Sequence, residues 1–385
     1  MKHPTFISVF FAAMCCVFLG VPRDAQAFDT QAGYAVLMDY DTGTVLWGKN
    51  ADEQMHPASM SKLMTLEMLF NALRNGSVSM DDEFKISEHA WRAGGAASGS
   101  STMFAYLNST VPVHAILRGI IVQSGNDACI ATAEALSGSE SAFAEAMTER
   151  GKEIGLANSN FENSTGWPHP DHLMTARDLA ILARHLISDF SEYYPIFKET
   201  DFTWNGIKQG NRNPALYLDP SVDGLKTGHT EASGYGLVAS AKRKDQRLVL
   251  VLNGLPSEKA RADESVRLLD WGFRSFKHYK LFAAGTPIDN APVWQGTYGE
   301  VPLVSKTDID IIMSPEQRKG MKATLVYDAP IEAPVAAGQR VGTLRVEAPE
   351  MPVREYPLVA GGAVERQGIF GRAMGSLKHM LLGGS

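Results

Sequence analysis

The sequence predicts an α+β protein: an antiparallel sheet carrying a cluster of helices, then a small all-β domain and a C-terminal amphipathic helix. Three observations carry this. Alternating, hairpin-like runs lie near both ends of residues 34–276, a helical stretch fills the middle, and after about residue 280 short Val/Ile/Thr/Leu runs broken by Pro and Gly replace the helical periodicity. A chain of 385 residues exceeds one ordinary core, so two domains and a targeting segment are expected. The boundaries fall at 1–27, 28–279, 280–362 and 363–385.

Residues 1–27 start with Lys2 and His3, continue through an apolar run from Phe6 to Val21 and end in Ala25-Gln26-Ala27, the small-x-small pattern of a signal peptide. A spanning helix needs about 20 apolar residues. This run is shorter, so cleavage after Ala27 and export are expected. Cleavage removes Lys2, Arg23 and Asp24 and takes the formal charge from -7 to -8. Such an acidic chain lacks the electrostatic footprint of a nucleic-acid binder. Of three cysteines only Cys129 survives processing, so no intrachain disulfide can form. Its setting, NDACIATAEAL, reads as a buried helix face rather than a nucleophile's.

Tyr34 to Lys49 reads as a hairpin, because YAVLMDY and TVLWGKN flank the turn triplet Asp41-Thr42-Gly43. A helix follows Pro57 and closes at Gly76, with apolar residues recurring at helical spacing from Met60 to Leu73. Further helices are expected at 113–122, 127–137, 139–154 and 175–188, with an irregular loop at 159–174. GYGLVASA and RLVLVLNGL form a second hairpin around the turn 242–246, and a last helix spans 257–276. At the C-terminus, Ile369, Phe370, Ala373, Met374, Leu377, Met380 and Leu381 fall within about 140° of a helical wheel, the pattern of an interfacial membrane anchor.

Chemistry enters with Ser59-Met60-Ser61-Lys62, whose serine and lysine, three apart, share one face of the first helical turn. A hydroxyl needs a base to become a nucleophile, and a lysine serves only when neutral. Bringing a lysine from about 10.4 to near 7 costs about 4.6 kcal/mol, which burial and a second cation could supply. The helix N-terminus adds positive potential there. Alone, this spacing is as consistent with a helix cap and a surface lysine. Two further elements change the balance: Ser124-Gly125-Asn126 between two expected helices, and Lys226-Thr227-Gly228 leading into the second hairpin as an edge strand.

The three elements occur in the order and approximate separation of serine β-lactamases and penicillin-binding proteins, with Ser-Gly-Asn in place of Ser-Asp-Asn. The strings HPASMSKLMT, QSGNDAC and VDGLKTGHT resemble D-alanyl-D-alanine carboxypeptidases of the penicillin-binding protein 5 and 6 type, and the likeness extends over nearly the whole chain. It implies a β-lactamase/transpeptidase-like first domain and removal of the terminal D-alanine from peptidoglycan pentapeptide stems. By the same resemblance Ser59 is the acylated nucleophile, Lys62 its base and Ser124 a proton relay to the leaving amine. Asn126 holds the substrate amide, Lys226 and Thr227 bind the terminal carboxylate and polarise Ser124, and Gly228 leaves room for the peptide. The backbone N–H groups of Ser59 and His229 form the oxyanion hole, Thr230 follows in the same binding strand, and Arg261 assists with the carboxylate. β-Lactam antibiotics are implied as acylating inhibitors. The implied location is the periplasmic face of the inner membrane, held peripherally by the tail.

No cofactor is expected. The ten histidines show no metal-ligand spacing, and His169 with His172 reads as a loop pair without a matching cluster. The glycines at 94–99 make no phosphate loop and are read as a loop beside the site. A β-lactamase, a transpeptidase or endopeptidase, and a non-catalytic wall-binding module remain open as rivals. The loop at 159–174 holds only Glu162 and Asp171 as carboxylates and no Glu-x-x-x-Asn segment, which weighs against the first.

Overall fold

A computed structural model describes residues 28–369 and 371. The expected signal peptide lies outside these residues, as does almost all of the tail helix. In the first part of the chain β1 (Tyr34–Asp39) and β2 (Val45–Lys49) form the expected hairpin, and α1 (Lys62–Arg74) follows a short 3₁₀ turn at Ala58–Ser61. The helical middle is framed by small two-stranded pairs, β3 (Glu83–Lys85) with β4 (Thr110–Pro112) and, later, β5 (Asp201–Trp204) with β6 (Ile207–Gly210). Between them come α2 (Val113–Ile121), α3 (Asn126–Ser137), α4 (Glu140–Glu153) and α5 (Ala176–Asp189). The one-turn helix α6 (Ala215–Leu218) leads to β7 (Val222–Thr230), β8 (Gly234–Arg243), β9 (Gln246–Leu255) and α7 (Glu258–Ser275).

Distant sequence assembles one sheet in the order β2-β1-β9-β8-β7, with antiparallel neighbours throughout. Side chains alternate between the faces of a strand. Accordingly Val36, Met38, Val238, Val249 and Val251 join the helical cluster on one face, while Leu37, Leu237, Leu248, Leu250 and Leu252 join α7 on the other. The unbroken apolar run of β9 is thus a central strand covered on both sides, each buried leucine contributing about 1.5–3 kcal/mol. α7 lies close to the sheet because Gly272 has no side chain: a Cβ there would stand 2.5 Å from Leu37 and 2.9 Å from Leu248. Helix starts follow capping chemistry, with the hydroxyls of Ser139, Thr175 and Ser257 accepting first-turn N–H groups. β7 is left at the edge of the sheet, where a peptide can lie alongside it.

The second part begins at β10 (Lys277–Phe282) and continues through β11 (Pro287–Trp294), β12 (Glu300–Ser305) and β13 (Ile309–Met313), which pairs with β10. After α8 (Pro315–Gly320) come β14 (Lys322–Val326), β15 (Ile331–Glu332), β16 (Arg340–Glu347) and β17 (Arg354–Ala360). Six of these form a sheet in the order β14-β16-β17-β12-β11-β15. Its core includes Val301, Leu303, Ile309, Ile311, Leu344 and Leu358. The unexpected element is α8. At six residues it is too short to show periodicity, yet Ser314 and Gln317 form a complete capping box with Pro315 at the first position. No helix among the described residues is long and apolar enough to cross a membrane.

Candidate active site

The 3₁₀ turn before α1 holds the first pair of groups. In such a turn residues three apart are eclipsed, and Lys62 Nζ lies 2.8 Å from Ser59 Oγ. Lys62 is fully buried and also donates to the Thr165 carbonyl at 2.6 Å. Burial pushes its ammonium down from 10.5 to about 8, with the nearby Arg212 charge acting in the same direction. Ala58, immediately before the serine, has φ of 50°, a left-handed conformation that a non-glycine residue adopts only where its surroundings enforce it.

Those surroundings are the loop at 159–174. Asn163 Oδ1 gathers the N–H groups of Thr165, Gly166 and Trp167 at 3.2, 2.8 and 3.0 Å. The Ser164 carbonyl accepts from Thr65 Oγ1 at 2.6 Å, fastening the loop to α1. Gly166 has φ of 75°, and a Cβ there would stand 2.0 Å from the Ala58 carbonyl. The loop therefore presses on the serine turn and supplies the carbonyl that faces Lys62.

The second pair joins the helical cluster to the sheet. Ser124, at φ 58° between α2 and α3, accepts a hydrogen bond from Lys226 Nζ at 2.9 Å. Lys226 is buried, and its pKa is driven well below the ordinary value, first by burial and then by the charge on Lys62. Asn126 opens α3, where its Nδ2 donates to Ser100 Oγ at 3.0 Å while its Oδ1 is buried and unpartnered. Asp127 is tied in from behind, accepting from the backbone of Met103 and Ala105 and from the Thr102 hydroxyl. The glycine-containing segment at 90–99 forms a π-helical turn and a 3₁₀ turn, and Gly94 sits so close to α3 that a Cβ would meet Asp127 N at 2.3 Å.

Ser59, Ser124, Thr227, Gly228, His229 and Arg261 line one cavity of about 540 Å³. Lys62 and Lys226 are buried directly behind the two serines, and Asn126 is buried beside Ser124. Thr230 is placed elsewhere: its hydroxyl bonds Ser233 Oγ at 2.8 Å, and it lines a neighbouring cavity with Trp167 and His56. Gly228 matters in a way the strand pattern does not reveal. A Cβ at 228 would stand 2.8 Å from the Pro57 carbonyl and 3.2 Å from Ala58 Cβ, so its missing side chain first makes room for the serine turn itself.

Two guanidinium groups make the cavity electropositive. Arg261 is buried on the first turn of α7, its Nε is unpartnered, and its head lies 5.5 Å from the Tyr235 ring centroid. Tyr235 in turn stacks on His229 at 3.9 Å. Arg212 was not legible in the sequence. It comes from an irregular Asn/Pro-containing loop with no motif, and it lines the same cavity with a hydrogen bond to Ser101. Burial lowers the pKa of both arginines, yet a guanidinium stays charged. Among the described residues, the lone carboxylate in the lining is Glu258, 3.8 Å from Arg261. A carboxylate-bearing substrate fits this balance. Cys129 is buried with its thiol pushed up to about 12 by burial, which removes it as a nucleophile.

One expectation about the histidines is corrected. His169 does have acidic neighbours, because ligand atoms of Glu162, His169 and Asp171 lie within 4.8 Å of one another. All three residues are exposed and outside the serine cavity. The loop folds back on itself through pairing of Asn160 with Leu173, which the linear spacing could not show.

Residues 22–256 match the family described as D-alanyl-D-alanine carboxypeptidase. The chain belongs to this family. It is a serine-type peptidase, and residues 276–366 match the C-terminal domain of penicillin-binding protein 5. D-alanyl-D-alanine carboxypeptidase DacC of Escherichia coli is 38% identical over 352 residues, covering 91% of this chain and 88% of the relative. DacA of Haemophilus influenzae is 39% identical over 340 residues, 88% of this chain and 86% of the relative. Among solved structures, penicillin binding protein 5 from Haemophilus influenzae aligns with a TM-score of 0.77 at 38% identity, over 88% of this chain and 98% of that one. The fold is therefore that of the penicillin-binding protein 5 type, a transpeptidase-like domain followed by an all-β domain.

Proposed function

We propose that Ser59 attacks the carbonyl between the last two D-alanines of a peptidoglycan pentapeptide stem, releasing the terminal D-alanine and leaving an acyl-enzyme that water hydrolyses to the tetrapeptide. Lys62, as the neutral amine, takes the Ser59 proton. The Oγ–carbonyl bond forms first to give a tetrahedral oxyanion, which collapses with breakage of the peptide C–N bond as the proton taken by Lys62 passes to the leaving amine through Ser124, which Lys226 polarises. The oxyanion is held by the backbone N–H groups of Ser59 and His229. Thr227, Arg261 and Arg212 hold the terminal carboxylate, Asn126 the substrate amide, and Gly228 admits the peptide beside β7. The observation that carries this reading is the buried Lys62 amine 2.8 Å from Ser59 Oγ, mirrored by the Lys226–Ser124 pair at 2.9 Å.

The same site accounts for acylation by β-lactams, whose strained amide and adjacent carboxylate resemble the scissile unit. A relative 25% identical, penicillin-binding protein D2 from Listeria monocytogenes, is known in an ampicillin-bound form and aligns over 64% of this chain with a TM-score of 0.56. The catalytic domain, expected over residues 28–279, is assigned to 28–276, because Lys277 already opens β10 of the β-domain, which is assigned to 277–362 rather than 280–362. Export through the signal at 1–27 and attachment of the tail at 363–385 to the periplasmic face of the inner membrane complete the reading. Two measurements test it. Wild type should release D-alanine from diacetyl-Lys-D-Ala-D-Ala and gain one benzylpenicillin mass, and Ser59→Ala should do neither. A penicillin adduct that persists in Ser59→Ala removes Ser59 from the role.

A further inference from the structure

Outside the serine cavity, a histidine bridges the two parts of the chain. His278, near the start of β10, has Nε2 3.2 Å from Asp39 Oδ1 at the end of β1 and Nδ1 3.2 Å from Asp310 Oδ2 on β13. Asp39 is fully buried and belongs to the first sheet, whereas Asp310 belongs to the second part. A neutral imidazole carries one N–H and can donate to one of these carboxylates. Only the imidazolium, a donor at both nitrogens, can donate to both. We propose that His278 is a proton-operated clasp that fixes the β-domain against the catalytic domain when protonated and loosens it when neutral.

The neighbouring groups support this sign. Asp39 Oδ2 also accepts the Thr42 N–H at 2.9 Å and hydroxyl at 2.6 Å, so the β1–β2 turn is built around this carboxylate. Asp41 stands within 4.8 Å of both Asp39 and His278, giving the imidazole three carboxylate neighbours in all. Facing the same junction are cations from four elements: Arg274 of α7, Lys277 of β10, Arg243 of β8, and Lys244 of the β8–β9 turn, where Asp245 also lies. Arg243 is engaged by Asp219 and Asp270, each at 2.6 Å. Arg184 of α5 holds the turn by donating to the Tyr40 carbonyl at 2.6 Å. A second tie from the β-domain, one that does not titrate in this range, reaches the same turn, with Arg354 of β17 donating to the Thr44 hydroxyl. Losing the His278 clasp therefore loosens the domains without separating the chain. Only a second ring proton completes the two-sided clasp, so its closure depends on proton binding at the imidazole.

The test is an electron-paramagnetic distance measurement on the full mature chain, with nitroxides at Lys152→Cys in the first domain and Glu355→Cys in the second. Both positions are exposed, and the native Cys129 is fully buried and does not label. The distance distribution should be narrow at about pH 5.5 and broader at about pH 8.5, either side of the imidazole range. His278→Gln and Asp310→Asn should each be broad at both values, with D-alanine release from a small peptide and cooperative melting preserved. An equal width at both pH values in wild type overturns the proposal, and so does an undiminished pH response in His278→Gln. Narrowing at low pH that EDTA abolishes would assign the closure to a metal ion and overturn the proton clasp.

Discussion

The pH dependence of acylation follows from the burial of one amine. With Lys62 lowered to about 8, its neutral fraction is about 1% at pH 6, about 9% at pH 7 and about 50% at pH 8. If the neutral amine is the base, the second-order rate constant for acylation by benzylpenicillin should rise about 9-fold from pH 6 to 7, about 5-fold from 7 to 8, and level off above 9. Stopped-flow measurement with a chromogenic cephalosporin, corrected for its own hydrolysis, reads this directly. Lys62→Arg holds a permanent charge at the same place and should lose at least about three orders of magnitude at every pH. A rate that is flat between pH 6 and 8, or that rises with a midpoint near 5, would refute Lys62 as the base. The same depression has a thermodynamic counterpart. A lysine lowered from 10.5 to about 8 in the folded chain destabilises the fold by about 3 kcal/mol below pH 8, and stability recovers as pH rises from about 8 to 10.5.

Lys62→Met should therefore raise the melting temperature at pH 7 while abolishing acylation, with the gain shrinking toward pH 10; a melting temperature lowered at pH 7 would contradict the burial cost. Gly228→Ala should stay folded but acylate at least about 100-fold more slowly, because the added methyl meets the Pro57 carbonyl 2.8 Å away and shifts the serine turn. Intact-protein mass spectrometry over time checks this, and wild-type acylation in a folded variant would be the contrary result. Arg212→Ala should raise KM for peptides ending in a free carboxylate by about 10-fold or more while leaving the corresponding C-terminal amides, already poor ligands, unchanged. Deleting residues 364–385 should yield a soluble enzyme with unchanged release of D-alanine, and fractionation that still finds it in the membrane pellet would count against the anchor.

What the sequence determined by itself is local. Apolar periodicity placed the helices α2 to α5 within one or two residues, because amphipathic faces and caps are written in neighbouring positions. Three short motifs named the polar groups, and their spacing within one helical turn put Ser59 beside Lys62. The tertiary structure decided what adjacent residues cannot encode. The base strength of Lys62 depends on complete burial and on the charge of Arg212 in a distant loop, and its position is fixed by the Thr165 carbonyl 103 residues away. The pairing of Ser124 with Lys226, 102 residues apart, exists because α2, α3 and the edge strand meet at one corner of the sheet. Arg212 enters the cavity from a loop without a pattern, and Thr230, adjacent in sequence to the binding strand's other residues, leaves it for the next cavity. Gly228 shows the difference most plainly: its strand position is legible in the sequence, but the backbone that a methyl group would strike there belongs to Pro57, brought close only by folding. Short-range geometry fixes which groups are available. Desolvation and field, the quantities that make them reactive, depend on everything packed around them.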